Sequence, residues 1–576
     1  MCGVVAVCLA PTGTGAGPRA DQLAEAGIRR LLHRGPDGHG VHGDADSAVA
    51  MCRLRLRSRP GDRVPFRAEP GAPAHAFNGE VYAVGPDAWA GTGPVTVPAG
   101  GLDEAEAVAA RPAPALDGMY ALVRREPDGS VEVTRDPLGI KPLYLRRHPD
   151  GVAVASELPA LLDIFGPAEP RPEAVAQFLL LGRVVDGGTF FRDIEPVPPG
   201  ARLRLKEGRV QRLDSAARPA AGRPAEDRQV PGPAQLRAAV ARAVERVLVA
   251  DRPLGLALSG GLDSTVLAAE LSLRGVTDLA TVSVVPRGTG DGATDLAALR
   301  LPGTAWRSWR HTFVEFGPQD LLDGVADAVR ALGEPTAMTS VPMYAALARL
   351  ARASGIVALL VGEGADELFG GYRSYLGLAE LADPADFYLS PARAELVRTL
   401  LGEPACAAAR TAAGAALPPA DGRPAAEVVR EFEYVHSLEP LLRRADHLLM
   451  AQGVEGRTPF LHGGLPALAT ALPFDALVHG GQTKVALRQA YAAELPHFAE
   501  EVKKPFRAPV ADWLTGPAAA RVYAELTGHR ARLTDLGLSA AGLDTLLGRL
   551  AAGEAPAVEL AFPLLTLGAW LAWLDR

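Results

Sequence analysis

At 576 residues the chain is too long for a single hydrophobic core, so length alone implies two or more domains. Hydrophobic residues at 48% and charged residues at 22% are ordinary globular values and exclude a wholly disordered chain. The net charge of -8, with arginines scattered among acidic residues, offers no basic face for a phosphate backbone, so nucleic acid is not an expected partner. Four cysteines, Cys2, Cys8, Cys52 and Cys406, are too few for a disulfide framework and form no CxxC pair, which fits a reducing cytosol. The opening CGVVAVCLAPTGTG lacks the charged and apolar regions of a secretory signal. Apolar runs such as LGLALS and VALLVGEG are too short to span a bilayer, and a cytoplasmic protein with no membrane partner is expected.

Residues 1–212 run as short β-type segments between Gly/Pro turns: GVVAVCL, AVAMCRLRLR, HAFNGEVYAV, MYALVRR, VEVTRD, PLYLRR and VAVASE. That rhythm predicts an antiparallel sheet domain. Residues 213–232, dense in Ala, Pro, Arg and Gly with no apolar periodicity in their greater part, read as a linker. From 233 to 576 the pattern changes. Helices at AQLRAAVARAVERVLVA, TVLAAELSLRG, LLDGVADAVRALG and YAALARLARASG alternate with strands at LGLAL, ATVSVV and IVALLVG, which predicts a parallel α/β sheet. Beyond about residue 380 the chain reads as mainly helical, and it contains no internal repeat.

Cys2 directly follows the initiator methionine. With Met1 removed, the thiol and a free α-amine of pKa roughly 8 share one residue, a nucleophile carrying its own base. A lone Cys2 reads equally well as the small apolar start of a strand, and its company decides between the two. That company is RGPDG at 34–38, RL at 53–54, FNGEVY at 77–82 and RDPLGIKPLY at 135–144. With these motifs the chain resembles the class II glutamine amidotransferases, whose α+β domain is a sandwich of antiparallel sheets of the N-terminal nucleophile type. The resemblance implies that Cys2 attacks the glutamine amide carbonyl, with the Asn78 side chain and the Gly79 backbone N–H as oxyanion hole. Two donors aimed at one point suit a tetrahedral oxyanion. It further implies that Arg53 pairs with the glutamine α-carboxylate, a bidentate task suited to arginine, and that Glu80 and Asp103 hold the α-ammonium. Cys8 and Cys52 read as core residues.

The run LGLALSGGLDSTVLAAEL places a strand, a glycine-rich turn and a helix in order, a natural anion cradle of backbone N–H groups. The string SGGLDS resembles the PP-loop of the ATP pyrophosphatases, which lacks the lysine of a Walker A motif. The resemblance implies ATP cleaved between its α and β phosphates, with AMP as product. Ser259, Gly260, Gly261, Leu262, Asp263 and Ser264 would bind ATP and pyrophosphate, together with Gly362 and Glu363 of VGEGADELFGGY. Two carboxylates at the ends of neighbouring strands suit Mg2+ held against phosphate oxygens, a role assigned to Asp263 and Asp366. Glu334, in GEPTAMTSVPMY, resembles an acidic residue between ATP and the acceptor, to bind an ammonium or take a proton from ammonia.

Farther on, VEGRTPFL, TKVALRQAY and LPHFAEEVKKPFRAPVADWL resemble the C-terminal portion of the asparagine synthetases, the family whose two motif sets this chain carries in order. Lys503 falls where that family keeps a lysine over the acyl-adenylate, with Lys504 as the alternative. The resemblance implies a ligase that hydrolyses glutamine and passes ammonia to an acyl-adenylate. Glutamine and a carboxylate acceptor are its partners, ATP and Mg2+ its cofactors, and a homodimer is compatible with it. Several positions depart from the family pattern and read as surrounding the acceptor: the shortened EPTAMTSVP with Ala337, His462 after PFL, Glu501 before Lys503, and Trp306 and Trp309. They raise a second acceptor class, a specialised metabolite or an amide ring closure. A catalytically silent scaffold is disfavoured by intact SGGLDS and GADE.

Overall fold

The computed structural model describes residues 2–11, 18–57, 63–91, 93–111, 115–215, 230–287, 295–498 and 509–575. The N-terminal half holds an antiparallel sheet with the strand order His39–Gly43, Ser47–Arg53, Cys2–Leu9, Gly151–Ala155, Tyr144–His148, Ile194–Pro196. A second has the order Arg209–Ser215, Ala201–Lys206, Val131–Arg135, Leu116–Arg125, Ala74–Val84. The Cys2–Leu9 strand is buried along its whole length because both of its faces are covered. Val5 and Val7 pack with Ala24 and Ile28 of the Ala20–Arg30 helix, whereas Cys2, Val4, Ala6 and Cys8 pack with the second sheet. Side chains alternate along a strand, so this register alone turns the Cys2 thiol into the sandwich interior.

A third sheet is parallel, with the order Arg310–Phe316, Ala280–Pro286, Leu254–Ala257, Ala358–Leu360, Glu455–Arg457. From Leu254–Ala257 the chain adds strands toward one edge and then returns to add Ala358–Leu360 on the other side. The order therefore reverses between these two neighbours. At such a switch point the loops leaving the two strand ends diverge and open a crevice, the usual ligand position in open α/β sheets. The C-terminal region is helical, ending in Ala555–Leu574.

The antiparallel N-terminal sheets, the parallel sheet and the helical tail agree with the sequence reading. Its omissions are local. AVAMCRLRLR stops being a strand at Arg53, while Arg209–Ser215 runs past residue 212. The Ala20–Arg30 helix and the edge strand Arg310–Phe316 have no counterpart in that reading. Residues 216–229, most of the expected linker, lie outside the described residues, and the Pro233–Val247 helix begins beyond them.

The sequence reading also passes over Ala555–Leu574, twenty residues that are long and apolar enough by composition to cross a membrane. In the structure this helix is largely buried among Pro318–Leu332, Ala519–Asp535 and Ala540–Ala551, as a core helix is. Pro563 removes one ladder donor inside it. Nearby, Thr566 Oγ1 accepts from Thr336 N–H at 3.2 Å and lies 2.8 Å from Thr336 O. Trp570 is fully buried; its Nε1 donates to Gly333 O at 3.1 Å and its ring meets Phe190 and Phe191 edge-on. This side chain clamps the C-terminal helix to the N-terminal half. Trp570→Ala is expected to cost about 3–5 kcal/mol, the range for truncating a buried tryptophan. Urea unfolding measures it, and a loss below about 1 kcal/mol would contradict the clamp.

Candidate active sites

Cys2 opens its strand opposite Arg53 in the antiparallel register, and its backbone N–H donates to Asn78 Oδ1 at 3.0 Å. With the oxygen so engaged, the Asn78 amide nitrogen Nδ2 is buried and has no hydrogen-bond partner among the described residues. Next to it Gly79 has φ 149°, and a Cβ there would lie 2.0 Å from Met119 O, so only glycine brings this backbone in so close. The Cys2 carbonyl accepts from Arg34 Nε at 3.1 Å. Burial pushes the Cys2 thiol up from its ordinary range, opposed by the positive charge of Arg53.

Glu80 is buried and accepts from Arg57 Nε at 2.7 Å. Arg57 also pairs with Glu104, whose carboxylate accepts the N–H groups of Val81 at 2.9 Å and Gly101 at 3.0 Å. Asp103, the residue expected at the α-ammonium, is only half-buried in the first turn of Leu102–Ala110. The buried carboxylate of that turn is its neighbour Glu104. Burial, reinforced by the charge of Glu80, pushes Glu104 up to about 8 against the pull of Arg57. Arg57 thus pairs with both acids, Arg457 Nη2 stands 3.9 Å from Glu80, and near neutral pH Glu104 keeps its proton while Glu80 carries the charge.

The second site lies at the switch point. Ser264 Oγ donates to Gly261 O at 3.1 Å and accepts from Ser259 N–H at 3.2 Å, which folds the SGGLDS turn over the start of the Leu262–Leu273 helix. Gly260 has φ 73°, the left-handed region that favours glycine. The Leu262 side chain is buried in the core, so this residue offers the turn only its backbone. Gly362 comes close to the turn: a Cβ on it would lie 3.2 Å from Asp263 Cβ. Lys484, 2% exposed, ion-pairs with Asp263 and lies 2.5 Å from Asp366 Oδ1. Burial pulls the lysine down, and the two carboxylates more than offset it, so it stays charged.

The sequence reading does not name Lys484. Its signal is a lysine opening the VALRQA helix in a Lys-poor chain. Two carboxylates that converge on one ammonium also fit a divalent cation. No group of three or more His, Cys, Asp or Glu stands close enough to hold a metal among the described residues, so phosphate oxygens and water would complete the shell.

These loops floor a cavity of about 1210 Å³. Arg183, Thr189 and Phe190 of the N-terminal half line it, as do Arg443 and Arg444 of the Leu438–Met450 helix. Glu334 lines it too, but both of its oxygens are engaged, accepting Phe190 N–H at 2.7 Å and Arg443 Nη1 at 2.5 Å. The carboxylate thus ties Arg443 to the Phe190 backbone at the cavity wall. Glu363 accepts from Arg444 Nη2 at 2.6 Å, and Arg444 also donates to Ser340 Oγ at 2.6 Å.

Residues 235–572 match the asparagine synthase family, and residues 105–215 match the glutamine amidotransferase domain. The chain belongs to the asparagine synthase family. Similar members include a putative glutamine-hydrolysing asparagine synthetase of Mycobacterium bovis, 28% identical over 92% of this chain and 91% of the relative. Glutamine-hydrolysing asparagine synthetase 1 of Bacillus subtilis is 24% identical over 89% and 88%. Glutamine-hydrolysing asparagine synthetase 2 of Arabidopsis thaliana is 29% identical over 65% and 61%. The family is one of ATP-using carbon–nitrogen ligases with glutamine as amide donor.

Departures from the family pattern fall differently from the sequence reading. His462 does not line the cavity. It is buried between the two halves of the chain, its Nδ1 2.8 Å from Asp117 Oδ1 and its ring edge-on to Tyr82. Trp309 packs in the core with its Nε1 donating to Val276 O at 2.7 Å, and Trp306 packs beside the same core. Of the changes read as surrounding the acceptor, Ala337 lines the cavity. Glu501, Lys503 and Lys504 lie outside the described residues. The backbone at Gly79 yields a direct test: Gly79→Ala should cut glutamate release by about 10²-fold or more, the scale of a lost oxyanion donor. Ammonia-dependent AMP release should remain, and unchanged glutaminase turnover would contradict this geometry.

Proposed function

We propose that this protein is a glutamine-hydrolysing, ATP-dependent amide synthetase acting on aspartate or a closely related acid. The observation that carries the reading is the state of Asn78: its oxygen holds the Cys2 backbone while its buried Nδ2 is left to donate beside Gly79. With Met1 removed, the α-amine of Cys2 takes the thiol proton as Sγ attacks the glutamine carbonyl. Asn78 Nδ2 and Gly79 N–H stabilise the oxyanion. Ammonia leaves, and water releases glutamate from the thioester. Arg53 suits the glutamine α-carboxylate. Glu80 suits its α-ammonium, with Asp103 as the second acid proposed for it.

In the second site the acceptor carboxylate attacks the α-phosphorus of ATP and pyrophosphate leaves. Ser259, Gly260, Gly261, Leu262 and Ser264 offer the β and γ phosphates a cradle of backbone N–H and hydroxyl groups. Lys484 adds a positive charge to it. Gly362 admits the chain this closely, and Glu363 holds Arg444 at the cavity wall. Asp263 and Asp366 would hold Mg2+, which supplies charge neutralisation at the phosphates when bound. Ammonia then attacks the acyl carbonyl and AMP leaves, with Lys503 proposed over the intermediate. Glu334 acts by positioning Arg443. Aspartate is the first candidate acceptor because His462, Trp306 and Trp309, which argued for another, lie away from the cavity.

Cys2→Ala is expected to abolish glutamine-dependent synthesis and spare ammonia-dependent synthesis, and a preparation retaining Met1, checked by mass spectrometry, should behave alike. Loss of both activities would show that the two sites do not work separately. Asp263→Asn or Asp366→Asn should slow AMP release by about 10²-fold or more with glutaminase turnover largely kept. Release of ADP and phosphate would overturn the pyrophosphatase reading. A kcat/KM for aspartate of about 10⁴ M⁻¹s⁻¹ or more, within the usual range for enzymes, identifies it as the acceptor. A far lower value returns the choice to a specialised acid, found by screening acids for AMP release.

A further inference from the structure

The Leu438–Met450 helix runs between the two sites, and its residues at the crossing are Asp446 and His447. Asp446 accepts from Arg34 Nη2 at 2.6 Å, the same guanidinium that holds the Cys2 carbonyl. His447 is 1% exposed. Its Nε2 lies 3.5 Å from Ser156 O, and Ser156 is bonded both ways to Val4 of the strand that begins at Cys2. On its other side the ring stacks at 6.2 Å on Tyr144, which lines the cavity. A single imidazole therefore joins the wall of the first site to the wall of the second. A carbonyl only accepts, so the ring proton belongs on Nε2 and Nδ1 carries a lone pair. That Nδ1 is buried and has no hydrogen-bond partner among the described residues. A buried acceptor left without a donor is costly, and it points to a small donor that does not belong to the chain.

We propose that His447 Nδ1 is a binding point for unprotonated ammonia on its way from Cys2 to the cavity, accepting one of its N–H groups. The inference rests on the glutamine-dependent reading above and adds a residue to it. Ammonia must arrive neutral, because its lone pair makes the new bond, so a waypoint must bind it without giving it a proton. The site meets that requirement. Burial holds His447 neutral down to about 4, outweighing the carboxylates of Glu157 and Asp446, while Arg34 and Arg443 push the same way as burial. Glu157 and Asp446 are themselves held ionised by their cationic neighbours, so neither has a proton to give. No bond to nitrogen forms or breaks at this point.

The test follows nitrogen, using [15N-amide]glutamine with unlabelled ammonium in solution and, as acceptor, aspartate or the acid that releases AMP in the screen above. In the wild-type enzyme glutamate and AMP should form near one to one and the amide should carry the label. His447→Leu should raise the glutamate-to-AMP ratio at least threefold and dilute the label, while ammonia-dependent synthesis and glutaminase turnover stay within about twofold. His447→Gln, which keeps a polar acceptor, should recover much of the label. Coupling in His447→Leu as tight as in the wild type would overturn the proposal and mark the atom as the seat of a water. Equal loss of ammonia-dependent synthesis in both variants would also overturn it, in favour of a packing role. If the wild-type enzyme releases neither glutamate nor AMP, the synthetase reading itself fails, a result distinct from the other two.

Discussion

The organisation of this molecule depends on one buried guanidinium. Arg34 is fully excluded from solvent and gives Nε to the Cys2 carbonyl, Nη1 to Glu157 at 2.7 Å and Nη2 to Asp446 at 2.6 Å. A charge in such surroundings is tolerable only when paired and hydrogen-bonded on every side, and removing one partner of a buried pair typically costs about 3–5 kcal/mol. The three acceptors come from the Cys2–Leu9 strand, from the SE turn before Leu158–Phe165 and from the Leu438–Met450 helix. The cation can be satisfied only when both halves of the chain are docked in one way, so the pairing specifies the arrangement more than it stabilises it.

The remaining contacts between the halves follow the same logic. Asp117 receives Gly463 N–H at 2.9 Å and pairs with Arg246 and His462, Arg135 meets Glu439 at 2.9 Å, and Arg183 meets Glu433 at 3.1 Å. An interface built from directional, desolvated pairs discriminates sharply between registers, because a shifted docking leaves several charges buried and alone. Arg183 adds cation–π contacts with the rings of Tyr388 and Phe432. These contacts bring an N-terminal side chain to the rim of the cavity above the SGGLDS turn.

The sheets were legible because strand and helix periodicity survive in a single chain, and the two motif sets were legible because their chemistry demands particular residues side by side. Pairings across the fold were not. Nothing local tells that Glu334 spends its carboxylate on Phe190 N–H and Arg443, or that His462 serves Asp117, 345 residues away. Glu104 and Asp103 stand one position apart on a helix, and only the helix phase decides which is buried. The edge strand Arg310–Phe316 escaped notice because its exposed positions break the apolar run that marks the inner strands. Lys484 was hidden for another reason: its value comes from two aspartates that are distant in sequence.

The Phe190 contact carries a further consequence. The N-terminal segment that holds Arg183, Thr189 and Phe190 walls the cavity in which the acceptor would be activated, and Phe190 N–H helps to fix Glu334. The half of the chain that would supply nitrogen thus also shapes the chamber for the molecule receiving it. The two halves are not interchangeable cassettes: a chimera that exchanges glutaminase domains between relatives imports a foreign piece of acceptor wall. Residues 181–190 must travel with the recipient's cavity and not with the donor's N-terminal strand.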